Sequence, residues 1–160
     1  MRIPLLGPRG EGWVVGQLVL FAAIGAAGVE RLLHSSGMDT ARVLAAALGA
    51  IAILAGTIVA ARGILDLGSS LTPFPRPADA NQLVETGVYR FVRHPIYSGI
   101  VLAGLGWGVA TLAPLAVGLS ALLLAWFDLK ARNEEAWLAE RHPAYKAYRG
   151  RTRKFIPFLY

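Results

Sequence analysis

The 33 residues from Pro95 to Phe127 carry no charged side chain. As one straight helix they would reach about 50 Å, against about 30 Å for the hydrocarbon of a bilayer. Pro114 lies near the middle, after Thr111 and Leu112, so the run reads as a tight hairpin of two helices, about 96–112 and 114–132. The second is expected to continue out of the membrane. Gly12–Val29 and Val43–Ala61 are also uncharged, over 18 and 19 residues. Each is long enough to cross a bilayer, giving helices of about 12–33 and 41–62. The expectation is therefore all-α: one membrane domain, 1–160, of about four transmembrane helices with a cytosolic helical tail over 133–160.

The positive charges orient these spans. Of 16 Lys and Arg residues, 14 fall in segments that share one side if the chain starts there: Arg2 and Arg9, then Arg62, Arg76, Arg90 and Arg93, then eight from Lys130 to Lys154. Arg31 and Arg42 alone fall on the other side. Lys and Arg collect on the cytoplasmic side, so both termini are expected in the cytoplasm, with turns at 30–42 and 112–115 outside. The same argument takes the net charge of +6 away from nucleic acid and toward membrane lipids. Arg2 and Arg9 precede an apolar stretch as in a signal peptide. The small residues Ala22, Ala23, Ala26 and Ala27 sit inside that stretch, however, and Glu30 and Arg31 follow, so a retained first helix is expected.

Small residues mark packing faces. Ala45, Gly49, Ala52 and Gly56 form one stripe of the second helix, and Gly104 and Gly108 a G-x-x-x-G on the third. Ser69–Gly87, with Pro73, Pro75, Pro77, Asp79, Asn81 and Glu85, reads as an ordered or extended cytoplasmic loop.

Polar residues that need explaining cluster at two places on the predicted cytoplasmic face. The first is Gly87-Val-Tyr89-Arg90-Phe-Val-Arg93-His94-Pro95-Ile-Tyr97-Ser-Gly99. Pro95 suits the first position of a helix, and the N–H groups there, with Arg93 and His94, would suit a carboxylate or phosphate. Arg93 and His94 as interfacial anchors, with Tyr97 in an aromatic belt, is the alternative. The second is Arg132-Asn133-Glu134-Glu135. Adjacent carboxylates point about 100° apart on a helix, so one is expected to face the first cluster and the other not. A solvated helix face is the alternative here. Tyr145 and Tyr148 could stack on a purine or pack the tail. No cysteine is present, and His34, His94 and His142 lack metal-ligand spacing, so no metal site is expected.

With these residues the chain resembles the isoprenylcysteine carboxyl methyltransferase and phospholipid methyltransferase superfamily. The resemblance lies in G-V-Y-R-F-V-R-H-P-I-Y-S-G (87–99), the apolar hairpin, R-N-E-E (132–135), H-P-A-Y-K-A-Y (142–148) and F-I-P (155–157). It implies an S-adenosyl-L-methionine-dependent methyltransferase in the plasma membrane of a bacterium or archaeon. The acceptor would be lipophilic: a prenylcysteine-like carboxylate, a lipid amine or a thiol. By motif, Tyr89, Arg93, His94, Pro95, Tyr97 and Gly99 would border the cofactor, and Glu134 or Glu135 would bind its amine or ribose. Tyr145 and Tyr148 would cover the adenine, and Arg132, with Glu135, would serve the reaction by orienting the acceptor. Gly99, Ala103 and Gly104 would leave a sideways route from the bilayer. Two other readings stay open: an NADPH-dependent membrane reductase of the sterol-reductase type, since R-H-P-x-Y also occurs there, and a non-enzymatic membrane module.

Overall fold

A computed structural model describes residues 10–35, 37, 39–72, 74, 83–157 and 159. The charges expected at Arg2, Arg9 and Arg76, and Pro73, Pro75, Pro77, Asp79 and Asn81 of the expected loop, lie outside the described residues. Five α-helices follow one another: α1 Glu11–Leu33, α2 Thr40–Leu67, α3 Pro95–Ala110, α4 Pro114–Arg141 and α5 Tyr145–Arg151. Helices α1, α2 and α4 are long and apolar enough to cross a membrane. At 16 residues α3 reaches only about 24 Å, less than a full hydrocarbon core.

Each boundary has a local cause. Asp39 caps α2 by accepting from the Arg42 N–H at 2.8 Å. Prolines occupy the first positions of α3 and α4, where a missing N–H costs nothing. The hairpin forms where Pro114 predicts it, through Leu112 at φ 51°, a left-handed conformation that a non-glycine residue adopts only under strain. The Ala113 N–H closes the turn on the Gly108 carbonyl at 2.8 Å, and Arg31 of α1 donates to the Leu112 carbonyl at 3.2 Å. The α1–α2 turn and the α3–α4 turn thus meet at one end of the bundle. Helix α2 runs on past 62 through Arg62 and Asp66, because charges that close an apolar run do not break a helix.

The helices approach one another through small residues. Gly49, Gly56 and Gly63 of α2 face Gly106, Gly99 with Ala103, and Pro95 with Ile96 of α3, so closely that a methyl group at any of these glycines would collide with the facing helix. The stripe expected on α2 therefore exists and extends one step further, to Gly63. On α1, Gly16 receives the Trp126 ring of α4, and Gly28 the Trp107 ring of α3. Ile24, Val101, Ala116, Leu123, Phe127 and Ala131 form the centre of the bundle. The outward faces remain apolar: Val15 and Val19 on α1, Leu48, Ile51 and Leu54 on α2, and Leu115 and Leu122 on α4 are all exposed. A belt of this kind is stable against lipid tails, not water.

Candidate active site

The segment before α3 is fastened from both sides. Its short 3-10 turn, Gly87–Arg90, leans on the end of α2: the Val88 N–H donates to Asp66 at 2.8 Å, and the Tyr89 hydroxyl to the Gly63 carbonyl at 3.2 Å. On the other side the tail lies parallel to it. Arg153 N–H donates to Phe91 O at 3.2 Å, Arg93 N–H to Arg153 O at 2.8 Å and His94 N–H to Lys154 O at 3.1 Å. The Ser98 hydroxyl donates to Phe155 O at 2.7 Å, and Lys154 pairs with Asp128. The N–H groups of Arg93 and His94, expected to face an anion, are thus taken by the chain's own tail.

The side chains of Arg93, His94 and Tyr97 meet α4. Arg93 Nε donates to Glu135 Oε1 at 2.8 Å and its Nη1 to the Thr152 carbonyl at 2.6 Å. The His94 ring stands between the two glutamates, with Nε2 3.2 Å from Glu135 Oε1 and Nδ1 3.5 Å from Glu134 Oε2. The Tyr97 hydroxyl donates to Glu134 Oε1 at 2.5 Å. The expectation that one glutamate alone would face this cluster is corrected here. Side chains that diverge by about 100° can still flank a ring inserted between them. His94 stacks on Tyr97 at 5.5 Å between centroids, and Tyr97 on Phe127 at 4.2 Å.

The charges divide by environment. Burial pushes the Glu135 carboxyl up, but the hydrogen bonds from His94 and Arg93 and the neighbouring charge outweigh it and hold it at about 2. Burial dominates at Glu134 and raises it above the usual carboxylate range, against the pull of His94 and Lys130. Burial likewise raises Tyr89, Tyr145 and Tyr148, so their phenols stay neutral.

These groups border a cavity of roughly 300 Å³, at the small end of the ~300–1,000 Å³ usual for small-molecule sites. Tyr89, Arg93, His94, Tyr97, Glu134, Tyr145 and Tyr148 all line it. The rest of the wall is largely apolar, from Ile64, Leu67 and Leu71 to Ile96, Ile100 and Phe127. Glu135 is not part of the lining and stands behind Arg93 and His94. Pro95 and Gly99 turn toward α2, as does Ala103, while Gly104 packs on Ser120 of α4, so helix contacts fill the sideways route expected there. Arg132 is exposed and paired with Asp128, away from the cavity. Sequence reasoning missed two lining residues, Gln17 of α1 and Lys130 of α4, which hydrogen-bond at 2.7 Å. Their signal was faint: a lone amide in an apolar run, and a lysine at the end of another.

Fold and site together define an integral membrane protein whose polar cavity is built where its helices meet a C-terminal tail. A family profile described as phospholipid methyltransferase matches residues 44–144, and the chain belongs to that family. It is 28% identical over 116 residues to a probable protein-S-isoprenylcysteine O-methyltransferase of Oryza sativa subsp. indica, covering 70% of this chain and 61% of that one. It is 29% identical over 115 residues to protein-S-isoprenylcysteine O-methyltransferase B of Arabidopsis thaliana, covering 69% and 58%. It is 35% identical over 80 residues to the cobalt-zinc-cadmium resistance protein CzcN of Cupriavidus metallidurans, covering 49% and 37%. The chain thus spans about three-fifths of the length of the plant relatives it matches.

Proposed function

We propose that the protein is an S-adenosyl-L-methionine-dependent methyltransferase that modifies a lipophilic acceptor at the cytosolic face of the membrane. The observation that carries this reading is the cavity's composition. Carboxylate, cation and stacked phenols stand at one end, with apolar walls toward the bilayer. The Tyr145 hydroxyl is buried at that wall with no hydrogen-bond partner in the protein. A buried orphan hydroxyl costs about 1–3 kcal/mol, which a bound ligand can recover.

The residues fit the proposed cofactor. Glu134 accepts hydrogen bonds from an ammonium or from ribose hydroxyls, and Tyr145 and Tyr148 offer ring faces to a purine. Arg93 and His94 hold Glu135 and, through it, the position of α4. When bound, S-adenosyl-L-methionine supplies a methyl group on a cationic sulfur; its bond to sulfur breaks as the acceptor's lone pair forms the new bond, leaving a neutral thioether. The protein's part is to align the partners and keep water out, which the tail over 152–155 does from the aqueous side. A prenylcysteine-like carboxylate arrives ionised, whereas a lipid amine or thiol must first lose a proton.

Calorimetric titration of the purified protein with S-adenosylhomocysteine and, separately, NADPH tests the reading. Binding of the first and not the second is expected; the reverse would install the reductase reading in its place. Transfer of a labelled methyl group into total lipid extract, rather than the aqueous metabolite fraction, tests the acceptor.

A further inference from the structure

Resting on the methyltransferase reading, we propose that Gln17 and Lys130 form the acceptor-recognition device of this cavity: Gln17 fixes the Lys130 ammonium against the wall, where it receives the oxyanion of an amphiphilic acceptor. Lys130 is only 1% exposed although it stands one turn beyond Phe127, where α4 leaves its apolar stretch. A lysine there would ordinarily extend its flexible stem to water. Instead its Nζ turns inward, donates to the Gln17 amide oxygen at 2.7 Å and lies 5.2 Å from the centre of the Tyr97 ring.

Gln17 is the one amide in the apolar run of α1, from Gly12 to Val29. It is a neutral partner, so the pair carries a net positive charge at the cavity wall. The carboxylate one turn along is otherwise engaged: Glu134 takes the Tyr97 hydroxyl on one oxygen and faces His94 with the other. Apolar side chains from α2 and α3, Ile64, Leu67, Ile96 and Ile100, continue the wall away from this charge. A cation at one end and a hydrocarbon-lined wall beyond it suit a molecule with an anionic head and an apolar tail. The oxyanion could be a carboxylate, itself methylated, or the phosphate of a phospholipid whose other group is methylated; the shared chemistry is the anion. Helix α1 falls outside the family match over 44–144, so this half of the device is a feature of the present chain.

The test uses the purified full chain in nonionic micelles, titrated calorimetrically with oleate, phosphatidic acid and oleyl alcohol, and in parallel with S-adenosylhomocysteine. Wild type is expected to bind at least one of the anions more tightly than the alcohol. Lys130→Met should lose roughly tenfold or more of that anion affinity, Lys130→Arg should restore most of it, and Gln17→Leu should lose part. Oleyl alcohol and S-adenosylhomocysteine affinities should not move in any variant. The anion that binds identifies which source the site accepts. Equal affinity for anion and alcohol in wild type, or full anion binding by Lys130→Met, overturns the proposal. A Lys130→Met protein that loses S-adenosylhomocysteine assigns the lysine to the cofactor and also overturns it. Failure of wild type to bind S-adenosylhomocysteine overturns the methyltransferase reading instead, so the two failures are distinct. Helical circular dichroism verifies each variant, and Gln17→Leu provides the test should Lys130→Met not fold.

Discussion

His94 is held on four sides: Glu134 and Glu135 at its two nitrogens, the Tyr97 ring against its face and the tail carbonyl of Lys154 on its backbone. A group so constrained can position α4 for a ligand without touching much of it. His94→Ala and Glu135→Ala should each weaken S-adenosylhomocysteine binding by about 10- to 150-fold, the equivalent of losing one hydrogen bond to a charged group, with helical circular dichroism unchanged. Wild-type-like titrations of both would put the cofactor elsewhere. Tyr145→Phe should behave in the opposite way toward stability. It removes a buried hydroxyl that has no protein partner, so the thermal midpoint of the ligand-free protein should hold or rise while S-adenosylhomocysteine affinity falls. The Glu135 carboxyl, held at about 2, is depressed below its unfolded value of about 4.3. Its contribution to stability is complete above that unfolded value and is lost as pH falls from there through about 2. Between about pH 5 and 3 the thermal midpoint of Glu135→Gln should therefore drop less than that of wild type. Parallel slopes would show that the pair is not what acid disrupts.

At the scale of helices, the glycines fall into two groups that stability measurements can separate. A methyl group at Gly56 or Gly99 would run into backbone of the facing helix, whereas Gly25 and Gly118 have open space around them. Gly99→Ala should lower the thermal midpoint in detergent sharply by forcing α2 and α3 apart. Gly118→Ala should leave it level or raise it, since alanine is the better helix former by about 1 kcal/mol. Equal effects would refute the close approach of α2 and α3. Much of this was legible in the sequence. Pro114 marked the hairpin, and the spacing of Ala45, Gly49 and Gly56 marked the seam. The motif over 87–99 and the glutamates at 134 and 135 marked the site. The pairing of 91–94 with 152–155 was not legible, because a short parallel contact between irregular segments leaves no periodicity to read. Nor was the separation of Arg132 from Lys130. Two residues on one helix differ by about 200° in direction, and nothing in the residue types says which of the two points inward.

Across the whole molecule, charge and geometry make one claim about orientation. The turns at 34–39 and 111–113 share an end, joined by Arg31 and Leu112, and the charged residues of the tail gather at the other. Reporter fusions placed in the 34–39 turn and after the tail should therefore report opposite sides of the membrane; the same side would break the arrangement. The pairing of the tail with the segment before α3 also fixes an order of manufacture. Residues 152–155 leave the ribosome after every membrane helix has been made, yet they supply the carbonyls that bind Arg93 and His94. The bundle can therefore be inserted while its pocket still lacks a wall. A nascent or clipped chain ending near 141 would occupy the membrane without a finished site, and the cell would acquire a competent pocket only when the final stretch of translation folded back onto what was already embedded.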